Sequence, residues 1–258
     1  MDILFYILAG AGVGLAVGLT GVGGGSLMTP LLLMFGFPPH IAIGTDLVYA
    51  SATKATGVYA HHRQQSIEWP IVLRLLAGCI PASAAAVVLL SFFFTNPEDY
   101  KGILVSTLGA MLILTSVVLI FRPWILRHRN IENKETFLVR HQKGLTVIAG
   151  VFLGFAVTLS SVGAGAFGTA ILMMLYPNLS GIRIVGTDLA YAVPLTFMAG
   201  MGHWHLGNID WYLLGSLLIG SIPAIQLGTR LARRIPSRVL QSTLAAILLL
   251  IGLKYTFF

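Results

Sequence analysis

Residues 44–50 read GTDLVYA, and 142 positions later residues 186–192 read GTDLAYA. At that offset His61 matches His203, Ile67 matches Ile209 and Trp69 matches Trp211, while Gly78, Ile80, Pro81 and Ala82 match Gly220, Ile222, Pro223 and Ala224. Upstream the offset is 140, where Gly14, Ala16, Val17, Val22, Gly23, Gly25 and Thr29 match Gly154, Ala156, Val157, Val162, Gly163, Gly165 and Thr169. Chance similarity between apolar segments gives scattered leucine and alanine matches. It does not readily give Gly-Thr-Asp, His and Trp in register. The chain therefore reads as two repeats, residues 1–121 and 144–258, joined by a linker at 122–143.

The repeats are built for lipid. Of the 258 residues, 56% are hydrophobic and only 10% are charged, and the mean hydropathy is +0.86. Soluble domains carry about 25% charged residues. Apolar runs cover 3–19, 41–60, 71–94, 103–121, 145–159, 184–201, 211–227 and 239–258. Spanning the hydrocarbon core takes ~20 apolar residues as a helix, so the sequence predicts an all-α polytopic membrane protein. The first run follows Met-Asp with neither a basic flank nor a small-residue cleavage site, and reads as a retained span. The formal net charge of +7 is spread over loops, as cytoplasmic segments require, and predicts no nucleic-acid partner. A single cysteine, Cys79, excludes an intrachain disulfide framework.

Loop charges predict how the repeats are oriented. The linker carries Arg122, Arg127, Arg129, Lys134, Arg140 and Lys143, and the 230–238 loop carries Arg230, Arg233, Arg234 and Arg238. The counterpart of that loop, 95–101, has Asn-Pro-Glu-Asp and one lysine. The 61–68 loop has Arg63, flanked by Lys54 and Arg74, whereas 203–210 has no lysine or arginine. Basic residues thus change sides between the halves, the signature of inverted-topology repeats. Inversion needs an odd number of passes per half, which the short runs 26–35 and 164–176 would complete. The expectation is five plus five spans, a cytoplasmic linker and both termini outside; eight spans with two re-entrant hairpins is the alternative.

The short runs follow glycine-rich stretches, TGVGGGS at 20–26 and SSVGAG at 160–165. Paired short, Gly-interrupted segments point to the binding site of a transporter, near the midplane. Thr29 and Thr169 read as N-caps of these broken helices, whose free N–H groups and positive ends suit an anion. A phosphate-loop reading fails, because no Gly-Lys-Ser/Thr follows and an apolar helix precedes. Close helix packing is the other role open to the glycines. Asp46 and Asp188 are ionisable groups inside apolar runs, which are costly and usually functional; helix capping is the alternative for each. Lys54 lies on roughly the face of Asp46, and reads either as a cation for an anion or as a side chain snorkelling to the interface. His61 and His203 suit proton handling. Opposite-face placement argues against a metal shared by His61, His62, His203 and His205. Trp69 and Trp211 read as interfacial anchors.

These motifs resemble the sulfite exporter TauE/SafE family. The resemblance rests on the glycine-studded 12–32 segment ending GVGGGSLMTPLL, AIGTD at 42–46, VGAG at 162–165 and VGTD at 185–188, and covers essentially the whole chain. It implies a multi-pass protein of the bacterial inner membrane that moves small inorganic or organic sulfur anions such as sulfite or organosulfonates. The expected function is a secondary transporter, an exporter working by alternating access, with no enzymatic activity and no cofactor. The candidate anion-binding residues are Thr20, Gly21, Gly23, Gly24, Gly25, Ser26, Thr45, Ser160, Ser161, Gly163, Gly165 and Thr187. Asp46, Asp188, Lys54, His61 and His203 are the candidates for coupling or charge, with a proton as the coupling ion. Transport of another small anion or a metal ion, and an intramembrane hydrolase using Ser160 or Ser161 with His203, are the alternatives. Lipid is the surrounding partner, and a homodimer is left open.

Overall fold

Backbone in hydrocarbon must satisfy its own N–H and C=O groups, and a helix does so within one segment. The structure, a computed structural model, describes residues 3–20, 27–94, 96–127, 141–231 and 237–257. Those residues form helices and connecting turns, with no strand among them. The first half comprises α1 (Ile3–Thr20), α2 (Met28–Met34), α3 (Pro39–Arg63), α4 (Trp69–Phe93) and α5 (Pro97–Arg127). The second comprises α6 (Gln142–Ser160), α7 (Ala166–Leu175), α8 (Gly181–His205), α9 (Trp211–Leu231) and α10 (Ser237–Phe257). The order long, short, long, long, long is the same in both. Helix α5 continues to Arg127, beyond the boundary at 121 that hydropathy suggests.

Helices α2 and α7 have 7 and 10 residues, ~10 and ~15 Å at 1.5 Å per residue, well short of a ~30 Å core. The chain nevertheless returns along its whole preceding helix. Phe35 and Phe37, just past α2, stack on Phe5 and Tyr6 at the start of α1, with ring centroids 4.8 and 5.8 Å apart. In the second half the Gln142 side-chain amide, at the start of α6, donates to the Leu175 carbonyl at the end of α7. Thr146 and Tyr176 hydroxyls meet there at 2.7 Å. In each half the short helix therefore ends beside the start of the long helix that precedes it.

Two glycine seams join the halves. A Cβ on Gly10, Gly14 or Gly220 would lie 2.3, 2.6 or 2.0 Å from the carbonyl oxygens of Leu217, Ser221 and Ile7, so α1 and α9 touch backbone to backbone. The equivalent Gly150, Gly154 and Gly78 meet Leu75, Cys79 and Val147 at 2.4, 2.5 and 2.2 Å, closing α6 on α4 in the same way. Small residues permit this close approach, where dispersion rather than water exclusion holds helices together.

The equivalent helices α3 and α8 pack antiparallel. Gly44 faces Asn208, Gly57 faces Leu189 and Gly186 faces Ser66, and at the centre Ser51 donates to the carbonyl of Val193 at 3.4 Å. Ser51 and Val193 are repeat partners, so the axis relating the halves passes beside them and across the helices. The equivalent α5 and α10 also run antiparallel, with Gly109 against Thr256, Gly252 against Ile113 and the Ser116 hydroxyl on the Ala245 carbonyl at 2.8 Å. One end of the bundle presents Arg63, Lys143, Arg183 and Arg230; the other presents Glu98, Asp99, Lys101, Asp210 and Lys254.

The seams predict a sharp contrast between two glycines of α9. Gly220→Leu should lower the unfolding midpoint of the purified protein, overpacking costing ~1–3 kcal/mol or more. Gly215→Ala, where a Cβ meets nothing within 4 Å, should not. Equal midpoints for the two would contradict the seam.

Candidate functional site

The repeated Gly-Thr-Asp does three jobs, one per residue. Glycine admits the opposite half's hairpin: a Cβ on Gly44 would lie 2.1 Å from the Asn208 carbonyl oxygen, and one on Gly186 would lie 2.6 Å from that of Ser66. Threonine then latches that hairpin. Thr45 Oγ1 accepts from the backbone N–H of Asp210 at 3.1 Å, and Thr187 Oγ1 accepts from that of Glu68 at 3.0 Å. The two latches lie at opposite ends of the bundle, and Glu68 also forms an ion pair with Arg183 at the basic end. Each threonine oxygen thus accepts from the opposite half's backbone.

Aspartate turns toward the short helix of its own half. Asp46 is fully buried, and its Oδ2 accepts from the Thr29 hydroxyl at 2.5 Å and the Thr29 backbone N–H at 3.1 Å. A carboxylate there holds the first turn of α2, satisfying a donor left over at a helix start. Asp188 occupies the matching place in the second half. It lies with the Tyr191 hydroxyl against the start of α7: a Cβ on Gly168 would lie 2.3 Å from Asp188 Oδ1 and 2.1 Å from that hydroxyl. The N-cap expectation for the threonines needs correction: Leu27 and Gly165 hold the cap positions. Thr29 lies inside α2, and the Thr169 hydroxyl donates to Ala166 within α7 at 2.8 Å. Sequence placed the cap on the nearest hydroxyl, whereas the carboxylate comes from a different helix.

Lys54 does not snorkel. It is 4% exposed, and its ammonium donates to the Ala164 carbonyl at 2.9 Å, reaching from the first half into the broken segment of the second. Lys54 also acts electrostatically on both Asp46 and Asp188. The 161–165 loop that it meets is held by special backbone: Ser161 is left-handed at φ 58°, and Gly163 and Gly165 have φ 124° and 136°, conformations that favour glycine. Ser160 braces the loop from below, its hydroxyl lying 2.6 Å from the Ala156 carbonyl and accepting from Val162 N–H at 3.1 Å. Ser161 N–H is bonded to Val157 at 2.7 Å, so two of the loop's N–H groups already serve the fold. The Ser161 side chain faces Asp46. Ser161 Oγ and Asp46 Oδ1 are buried with no hydrogen-bond partner among the described residues.

Both histidines belong to hairpin locks. His203 Nε2 lies 2.9 Å from the Thr158 carbonyl, which can only accept, so Nε2 bears the proton and Nδ1 accepts from the Asn208 amide at 3.2 Å. Asn208 in turn donates to the Tyr100 hydroxyl at 2.9 Å. His61 Nδ1 lies 2.7 Å from the hydroxyl of Ser66, the repeat partner of Asn208. With both His203 nitrogens engaged, no Ser–His couple forms with Ser160 or Ser161. Gly21, Gly23, Gly24, Gly25 and Ser26 lie outside the described residues, as does the Thr20 side chain. A separate surface pocket of about 620 Å³ at the basic end is lined by His62, Arg63, Gln65, Glu68 and Arg183 among others.

The sequence reading did not find Ala164, Gly168, Tyr191 or Asn208. Ala164 and the N–H groups of Glu68 and Asp210 act through backbone, which leaves no residue signature. Tyr191 repeats Tyr49 in register, a signal that was available.

Comparison with known proteins places the chain. A family profile described as "Sulfite exporter TauE/SafE" matches residues 6–255. "Probable membrane transporter protein YjnA" of Bacillus subtilis (strain 168) is 40% identical over 248 residues, covering 96% of this chain and 97% of that one. "Probable membrane transporter protein YunE" of the same organism is 39% identical over 268 residues, covering 98% and 96%. "Sulfite exporter TauE/SafE family protein 6" of Arabidopsis thaliana is 32% identical over 108 residues, covering 41% of this chain and 24% of its own. No solved structure matches.

Thr45→Val and Thr187→Val should each destabilise the protein by ~1–3 kcal/mol, the cost of stranding a buried donor. Serine at either position should restore the thermal midpoint. A valine variant as stable as the parent would remove the latch.

Proposed function

We propose a function on the premise that the chain belongs to the sulfite exporter TauE/SafE family, whose match covers residues 6–255, and is a membrane transporter: it exports small sulfur-containing anions, such as sulfite or organosulfonates, by alternating access. One observation carries the proposal. A buried ammonium from one half meets the broken helix of the other at the crossing of the repeats. Intramembrane charge is costly and, where it faces a protein interior, serves ions or substrates. Lys54 uses one of its three N–H donors on Ala164, and the Ser161 hydroxyl beside it is unpartnered among the described residues. Ammonium and hydroxyl donors are the groups that an oxyanion takes up.

The return of each short helix to the start of its preceding helix and the antiparallel α3/α8 and α5/α10 pairs support inverted-topology repeats of five spans each. The basic end, with Arg63, Lys143, Arg183 and Arg230, would be cytoplasmic, and the Glu98, Asp99 and Asp210 end would face outward with both chain ends. Asp46, Lys54 and Ser161 are all at most 4% exposed, so the arrangement is closed to both sides and access needs movement. The Thr187–Glu68 latch would open the basic end and the Thr45–Asp210 latch the opposite end, one at a time.

Labelled sulfite should cross liposomes containing the purified protein, and sulfite, thiosulfate or small sulfonates should raise its thermal midpoint by mass action. Lys54→Met should lower the flux about 10- to 100-fold, the worth of a charge-assisted hydrogen bond of about 1.5–3 kcal/mol. Indifference to every sulfur anion would sink the substrate, and full flux in Lys54→Met would sink the site.

A further inference from the structure

Two departures from the repeat in the centre change its chemistry. The partner of Lys54 is Thr196, and the partner of Ser161 is Gly21. Both departures fall together, because Lys54 binds the Ala164 carbonyl of the loop that Ser161 opens. The aspartates have different neighbours as well: Asp188 lies with the Tyr191 hydroxyl beside Gly168, while Asp46 faces the Ser161 hydroxyl, and Asp46 Oδ1 and Ser161 Oγ are buried without a hydrogen-bond partner among the described residues. The pseudo-two-fold therefore yields one polar centre, not two.

Its charge limits what it can hold. With both aspartates ionised and Lys54 charged, the buried cluster is one unit negative, and a further anion beside Asp46 would add a second uncompensated charge where desolvation is expensive. Protonating Asp46 removes that obstacle and leaves the loaded centre with the charge of the empty one. We propose, resting on the anion-transport reading above, that the centre takes one anion together with one proton: Lys54 and Ser161 hold the anion's oxygens, and Asp46 accepts the proton. The only bond made is O–H on Asp46, and the proton comes from bulk water and returns there with the anion. The groups facing Asp46 are Lys54 and Tyr49 of its own helix and, through Lys54, Asp188 with Tyr191 beside it. Neither α2 nor residues 21–26 and 161–165 contain a titratable side chain.

Proton binding and anion binding must then strengthen each other equally. The test is calorimetry of the full-length protein in weakly buffered solution, with methanesulfonate, which does not titrate near neutral pH, and with sulfite, its own ionisation subtracted. Uptake of about one proton per anion is expected, with affinity falling about tenfold per pH unit on the alkaline side, as one linked proton requires. Asp46→Asn, which keeps an acceptor for Thr29, should bind with no proton uptake and little pH dependence. Ser161→Ala should weaken binding while keeping the proton count. Binding without uptake, or uptake that survives in Asp46→Asn, overturns the coupling and leaves the anion site standing. No binding of either probe overturns both.

Discussion

A helix broken at membrane depth strands donors and acceptors that no water can satisfy, and the structure is organised around meeting that demand. Each half has one such break, before α2 and before α7. Asp46 supplies the acceptor for the first turn of α2, and Lys54 supplies a donor to the 161–165 loop. Both come from α3. The helix packed at the axis thus supports the breaks of both halves, which is why its two buried charges cannot be exchanged for apolar residues without exposing backbone.

The same demand ties the halves to each other. Glycine seams bring α1 onto α9 and α6 onto α4, so each half's first helix is packed by the other half's fourth. The hairpin tips are held by Thr45 and Thr187 from across the interface. The contact between aspartate and short helix lies within a half. A motion that rocks one half against the other would strain the latches first and leave the aspartate contacts intact, the division of labour expected when gates move around a fixed centre.

Much of this was legible in the sequence because duplication marks function twice. Gly-Thr-Asp, the histidines and the short apolar runs appeared in register, and charge asymmetry between loops separated a basic end from the other. The short runs proved to be 7- and 10-residue helices, where hydropathy alone could not separate a pass from a re-entrant loop. Stacking of Phe35 and Phe37 brings the end of α2 back to the start of α1, and no local pattern encodes it. The motif's inner division was also hidden: adjacent residues on a helix point ~100° apart, so Thr45 and Asp46 serve different neighbours. Lys54 misled for a related reason, since its position eight residues from Asp46 fits burial and snorkelling equally until the opposing carbonyl of Ala164 is known.

The most direct measurement is a structure of the protein with selenite, an oxyanion close to sulfite that can be located by its anomalous scattering. A peak within hydrogen-bond distance of Lys54 Nζ and Ser161 Oγ is the expected result. A peak confined to the surface pocket by Arg63 and Arg183, with the Lys54 centre empty at saturating selenite, would contradict an internal anion site between the repeats.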